Sequence, residues 1–158
     1  EPLRTVVDIN DASFYSPGDM AARIDEAAHA TGQPCPRDIG EYIRCINDSL
    51  ALAYRRAVRQ AVELSGREVK VLHIVGGGIR NRLLCQLAAD ATGLPVLAGP
   101  AEGTALGNVV IAARGAGVID GDLSDLRRLI RSSSRLTRYT PDLDTSSNWD
   151  DVERRLFG

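Results

Sequence analysis

Residues 69–98 read VKVLHIVGGGIRNRLLCQLAADATGLPVLA, and the order of residue types along this stretch decides the fold. The β-branched apolar run VKVLHIV (69–75) has the composition of a strand. It stops at Gly76-Gly77-Gly78, and a helical spacing follows, with Leu83, Leu84, Leu87, Ala88 and Ala91 on one face and Gly93 as the stop. Pro95-Val96-Leu97-Ala98 then gives a short second strand. Strand, helix and strand at this spacing predict a right-handed parallel βαβ unit. Its glycine turn falls at the carboxyl end of the first strand, the edge at which open α/β sheets bind ligands.

Three consecutive glycines remove every side chain where a backbone approaches a ligand, and they leave N–H groups free at a helix start. Such a turn suits a nucleotide phosphate or the adenosine beside it, and it suits tight packing equally well. Two sub-types are excluded. A P-loop carries a lysine after its glycines, whereas the single lysine, Lys70, precedes the strand. A dinucleotide fingerprint needs a third glycine where Asn81 stands and an acid where the second strand ends in Ala98-Gly99. The amide of Asn81 can both donate and accept toward a base edge, or it can cap the helix that follows. Glu102, Gly103 and Thr104 precede a small-residue helix predicted over 104–114, with Thr104 as its cap and Gly107 packed against the glycine turn.

Upstream, the prolines of QPCPRD (33–38) block helix, and Ile39, Ile43, Ile46, Leu50, Ala53, Ala57, Ala61 and Leu64 then recur at three and four. One helix over 37–64 is predicted, about 42 Å long, enough to cross a sheet or join two lobes. Arg55, Arg56 and Arg59 are expected on its solvated face. SPGDMAARIDEAAHATG (16–32) predicts a shorter helix with Ser16 as N-cap, Pro17 in first position and Asp19 where a capping box wants an acid. Residues 1–15 form an incoming segment with at most an edge strand. Downstream, GDLSDLRRLIRSS (121–133) is helical, and residues 140–158 are a tail ending in a helix around 149–156. His73 is expected as a satisfied core histidine, and Arg127, Arg128, Arg131, Arg135 and Arg138 as solvated surface.

The 158 residues, 44% of them hydrophobic, fit one core of α/β class and rule out disorder. Nineteen basic against twenty-one acidic residues, evenly divided along the chain, imply no nucleic-acid partner. No apolar run approaches the roughly 20 residues of a membrane span, and EPLRTVVDIND has neither the basic start nor the apolar core of a signal peptide. A cytoplasmic protein without a membrane partner is expected. The start at Glu1 suggests a piece of a longer protein, or a trimmed start. Cys35, Cys45 and Cys85 lack CxxC spacing and are expected as reduced thiols, with a Cys35–Cys45 bridge as the alternative. HExxH, GxSxG and paired carboxylates are absent from the sequence, so neither a catalytic residue nor a metal site is assigned.

The stretch HIVGGGIRNRLLCQLAADATGLPVLAGPAEGTALGNVVIAA (73–113) strongly resembles the C-terminal domain of the FGGY carbohydrate kinases. YSPGDMAARI (15–24) and IRCINDSLALAYR (43–55) extend the resemblance to about 6–139. It implies an actin-like, ribonuclease-H-like fold of two lobes with ATP and sugar in the cleft between them. This chain, over 1–158, would be the C-terminal part of the nucleotide-binding lobe. By the same resemblance Gly76, Gly77 and Gly78 lie against the nucleotide, Asn81 borders the adenine, and Glu102 to Gly107 line or buttress that pocket. ATP with Mg2+ would donate the γ-phosphoryl group in line to a ketose hydroxyl. The family's catalytic aspartate, sugar lobe and first phosphate loop lie upstream of the matching region, and Asp8, Asp11 and Asp19 do not fit the aspartate's motif. The chain alone is therefore expected to be inactive. The β-meander that begins this lobe in the family is missing, so an exposed apolar edge and face should favour dimerisation, aggregation or association with the missing part. A non-catalytic assembly or regulatory module on the same fold is the alternative.

Overall fold

The computed structural model describes the backbone of residues 1–158 and the side chains of all but 145–147. The elements in order are α1 (Met20–Ala30), α2 (Ile39–Ser65), β1 (Leu72–Ile74), α3 (Arg82–Thr92), β2 (Val96–Ala98), α4 (Gly103–Gly115), α5 (Leu123–Ser133), β3 (Thr137–Tyr139) and α6 (Ser146–Phe157). The predicted parallel unit is present: β1 and β2 pair in the register Leu72↔Val96, His73↔Leu97, Ile74↔Ala98, joined by α3. A third strand was not legible in the sequence. Thr137–Tyr139 runs antiparallel to β2, giving the order β1-β2-β3, and three residues are too few for an alternation pattern to stand out.

Strand β1 is shorter than its apolar run because its one partner among the described residues, β2, is also only three residues long. Alternation turns Leu72 and Ile74 onto Ala88, Ala89, Val96, Tyr54 and Tyr139, and puts His73 on the opposite, exposed face. His73 is thus not a core histidine. Residues 1–15 contribute no strand either. Instead, side chains satisfy the backbone of this buried segment: Leu3 N–H donates to Asp48 at 2.8 Å and Val7 N–H to Ser49 Oγ at 2.9 Å. Gln33 brackets Val6, accepting from its N–H at 3.0 Å and donating to its carbonyl at 2.8 Å.

Helix α2 is where the sequence placed it, capped by Asp38 accepting from Glu41 N–H at 2.9 Å. Its orientation is the surprise. The apolar stripe faces out, with Ile39 79%, Ile43 51% and Leu64 89% exposed, while Cys45, Asp48, Ser49, Leu52 and Arg55 face inward. Helix α1 starts three residues later than predicted, because Asp19 and not Ser16 is the N-cap, accepting from Ala22 N–H at 3.1 Å. A carboxylate outcompetes a hydroxyl for a helix N–H. All three cysteines are free thiols; buried Cys45 packs on Val7 and Ile24 and is pushed up to about 11 by desolvation.

The expected solvated face of α2 also needs correction. Arg55 is only 5% exposed. Its guanidinium donates to the Ala91 carbonyl at the end of α3, pairs with Asp150 of α6, and reaches Glu153 at 3.1 Å. Arg59 joins both carboxylates at 3.0 and 2.7 Å, and Arg56 stacks over Phe157 at 3.5 Å. Helical periodicity cannot show that a helix some 95 residues later returns to these arginines.

At the other end, Glu41 takes Arg37 at 3.1 Å and Arg4 at 2.9 Å, and the hydrogen bond from Arg37 leads its fall from near 4.5 to about 2. A folded value below the unfolded one gives a contribution that is complete above about pH 4.5 and lost as pH falls toward 2. Glu41→Gln should therefore flatten the acid limb of stability in that window in urea unfolding. Identical pH profiles for the two proteins would remove Glu41 from the acid response.

Candidate functional site

Two turns meet at the carboxyl ends of β1 and β2. Gly99 N–H donates to the Ile74 carbonyl at 2.8 Å and Gly76 N–H to the Pro100 carbonyl at 3.2 Å, which fastens the glycine turn to residues 99–101. Gly76 has φ +77°, a conformation that glycine alone adopts cheaply, so the turn itself requires it. Gly77 differs. Its φ is not in the left-handed region, and a Cβ there would meet nothing within 4 Å. Neither backbone nor packing asks for glycine at 77.

The glycines do not open helix α3, contrary to the sequence expectation. They form a 3-10 turn, Gly76–Arg80, and the helix begins after Asn81. The Asn81 amide is engaged at both ends: Oδ1 caps α3 by accepting from Leu84 N–H at 3.0 Å, and Nδ2 donates to Asn47 Oδ1 of α2 at 2.7 Å. Its orientation is thus set by the protein.

Beside this turn lies an open cleft of about 520 Å³. Ile79, Ala98, Pro100 and Leu106 form an apolar floor, while Glu102, Ser134, Arg135 and Thr137 supply polar groups. Of the residues singled out from the sequence, Glu102 lines the cleft directly. Gly76, Gly77, Gly78 and Asn81 form the adjoining turn, and Ile79 links the two. Neither Glu102 nor Arg135 forms an ion pair among the described residues. Ser134 Oγ is the one buried side-chain polar atom among them without a hydrogen-bond partner. Ser134 and Thr137 escaped sequence reasoning, and Arg135, exposed as expected, was not connected to a site, because their place beside the cleft depends on β3, whose pairing with β2 is set in three dimensions.

Helix α4 begins at Gly103, one residue earlier than expected, and Thr104 does not cap it; Glu102 precedes it without a side-chain cap bond. The predicted packing of Gly107 against the glycine turn is not found, since a Cβ at 107 would meet nothing within 4 Å. Gly103 makes the close approach instead: a Cβ on it would lie 3.4 Å from Val75 Cβ. No group of three or more His, Cys, Asp and Glu side chains that could hold a metal ion occurs among the described residues, and no helix there is long and apolar enough to cross a membrane.

Comparison with known proteins bears on what this arrangement is. The family model for the C-terminal domain of the FGGY family of carbohydrate kinases matches residues 1–116. Rhamnulokinase of Bacteroides thetaiotaomicron is 43% identical over 150 residues, 95% of this chain and 30% of that protein. Rhamnulokinase of Klebsiella pneumoniae is 42% identical over 142 residues, 90% of this chain and 29% of that protein. This chain thus spans about 30% of the length of the curated relatives it matches. In solved structures, xylulose kinase from Rhodospirillum rubrum superposes with a TM-score of 0.57 at 26% identity, over 78% of this chain and 24% of that one. Ligand-bound xylulose kinase from Lactobacillus acidophilus shares the fold with a TM-score of 0.56 at 16% identity, over 71% and 22%. The glycine turn, the parallel unit and the length of the match agree, and the chain belongs to the FGGY family of carbohydrate kinases, carrying its C-terminal domain.

Proposed function

We propose that this chain is the nucleotide-binding part of an ATP-dependent carbohydrate kinase of rhamnulokinase type, whose acceptor is a ketose such as L-rhamnulose. The observation that carries the proposal is Gly77, where the fold leaves room for a side chain and the sequence has none. A ligand pressed against the backbone explains that. The neighbouring cleft suits a nucleoside, with Ile79, Pro100 and Leu106 offering apolar contact to a flat base and Ser134 and Thr137 offering hydrogen bonds to its edge. Arg135 and Glu102 at the rim would orient the charged end.

The chemistry would be in-line transfer of the ATP γ-phosphoryl group to a sugar hydroxyl. Mg2+ would enter on the nucleotide phosphates and offset their charge, and this chain would hold the adenosine end and exclude water from it. The base that accepts the hydroxyl proton, and the sugar site, would come from parts of a full-length kinase outside these residues. The outward stripe of Ile39, Ile43 and Ile46 on α2 supports that reading, because it is an apolar surface these 158 residues leave uncovered.

The test is an amide-resolved NMR titration with Mg-ATP, with Mg-CTP as control. ATP-selective shifts at residues 76–81 and at Leu106 and Ser134 are expected. A well-dispersed spectrum without shifts would favour the same fold used as an assembly module. The chain alone is expected to release no ADP in response to sugar, and reproducible sugar-dependent release would overturn the assignment of the proton acceptor to parts outside it.

A further inference from the structure

The glycine turn is tied to the longest helix through two amide side chains. Asn47 lies on the inward face of α2 and is 4% exposed. Its Nδ2 donates to the Ile43 carbonyl one turn back at 2.7 Å, which leaves Oδ1 as the atom facing Asn81. Asn81 Nδ2 donates to that oxygen at 2.7 Å, and Asn81 Oδ1 accepts from Leu84 N–H at 3.0 Å. The Asn81 backbone continues the chain of bonds, its N–H donating to the Gly78 carbonyl at 3.1 Å and its carbonyl accepting from Cys85 N–H at 3.1 Å. An unbroken series of hydrogen bonds therefore runs from the backbone of α2, through two side chains, to the glycine turn and the first turn of α3.

We infer that Asn47 is a positioning residue: through Asn81 it holds the glycine turn in the geometry that receives the nucleotide. Asn47 does not line the cleft. It acts by orienting Asn81, whose capping of α3 and bond to Gly78 together fix where the turn sits. The alternative use of Asn47, bracing α2 through Ile43, would make no difference to the turn. The role in binding rests on the nucleotide site proposed above; the role in fixing the turn does not.

Asn47→Ala is expected to speed amide exchange about tenfold at Asn81 and Leu84, whose N–H groups bond the Gly78 carbonyl and Asn81 Oδ1, and to weaken Mg-ATP binding about fivefold, the loss of one hydrogen bond. Asn81→Ala, which removes the α3 cap as well, should weaken affinity at least as much, and the double variant should lose no more than Asn81→Ala alone, because the connection to Asn47 is already gone in it. Asn47→Asp, read at a pH low enough to protonate its carboxyl, keeps an oxygen to accept from Asn81 and an O–H to donate to the Ile43 carbonyl, so it should retain wild-type exchange at the turn. This variant also carries the test if Asn47→Ala does not fold. Unchanged exchange at Asn81 and Leu84 in Asn47→Ala, additive losses in the double variant, or an Asn47→Asp turn as loose as that of Asn47→Ala would overturn the inference. A wild-type chain that gives no response to Mg-ATP would instead overturn the nucleotide site, leaving the exchange data to decide the clamp.

Discussion

Replacing Trp149 with alanine is expected to cost about 3–5 kcal/mol, a large fraction of the roughly 5–15 kcal/mol by which a folded domain is stable. Trp149 is 2% exposed and contacts or clusters with Val6, Ala51, Leu52, Leu87, Ala91 and Val152. It therefore joins the N-terminal segment, α2, α3 and α6 in one cluster, although the family model ends at residue 116, well before it. Removing the indole leaves a cavity among residues held by four separate elements, and such a site cannot collapse without moving all of them. Thermal unfolding should fall by about 6–20 °C. Leu156→Ala, which removes a partly buried neighbour of the same cluster, should cost less. A Trp149→Ala midpoint within about 2 °C of wild type would mean that α6 is an appendage and not part of the core.

A side chain at position 77 should do the reverse: leave the fold intact and damage binding. Gly77→Ala is expected to keep or raise stability by about 0.4–1 kcal/mol, because the backbone there is open to any residue and the unfolded chain loses freedom. In Mg-ATP titrations the same change, and Gly77→Val more so, should weaken affinity by about 5- to 150-fold, the equivalent of about 1–3 kcal/mol of overpacking. The opposite signs make the experiment decisive. Unchanged affinity in a stable Gly77→Val variant would mean that no ligand approaches this backbone, and the nucleotide reading would lose its main support. Gly76→Ala would not serve as a substitute, since its φ of +77° makes any side chain there strained whether or not a ligand binds.

Local residue order was sufficient for the elements and for the turn. Val69 to Ala98 predicts strand, glycine turn, helix and strand, and the structure has them in that order, because periodicity and stop signals act within a few residues. The same local reading found the glycine turn, whereas Glu102, which lines the cleft beside it, was assigned by the resemblance to the kinase family and not by residue spacing. It could not decide which face of α2 is buried. By hydropathy Ile39, Ile43 and Ile46 should face inward, yet Asp48, Ser49 and Arg55 do, because each has a specific partner: Leu3 N–H, Val7 N–H and the Asp150 and Glu153 carboxylates. The partners are 42 to 98 residues away along the chain. His73 failed for the related reason that one strand face has cover and the other does not.

The amide of Asn81 shows where the two kinds of information divide. Sequence establishes that an amide follows the glycine turn, and with it the capacity to donate and accept; the resemblance to a kinase family adds an adenine nearby. Only the folded chain brings Asn47 to within 2.7 Å and so determines which way that amide points. Secondary structure and the glycine turn were written locally, in residue spacing and backbone preference. The burial of polar residues, the third strand and the aim of Asn81 were decided by tertiary contact, because hydrogen bonds between distant residues have no periodicity to reveal them.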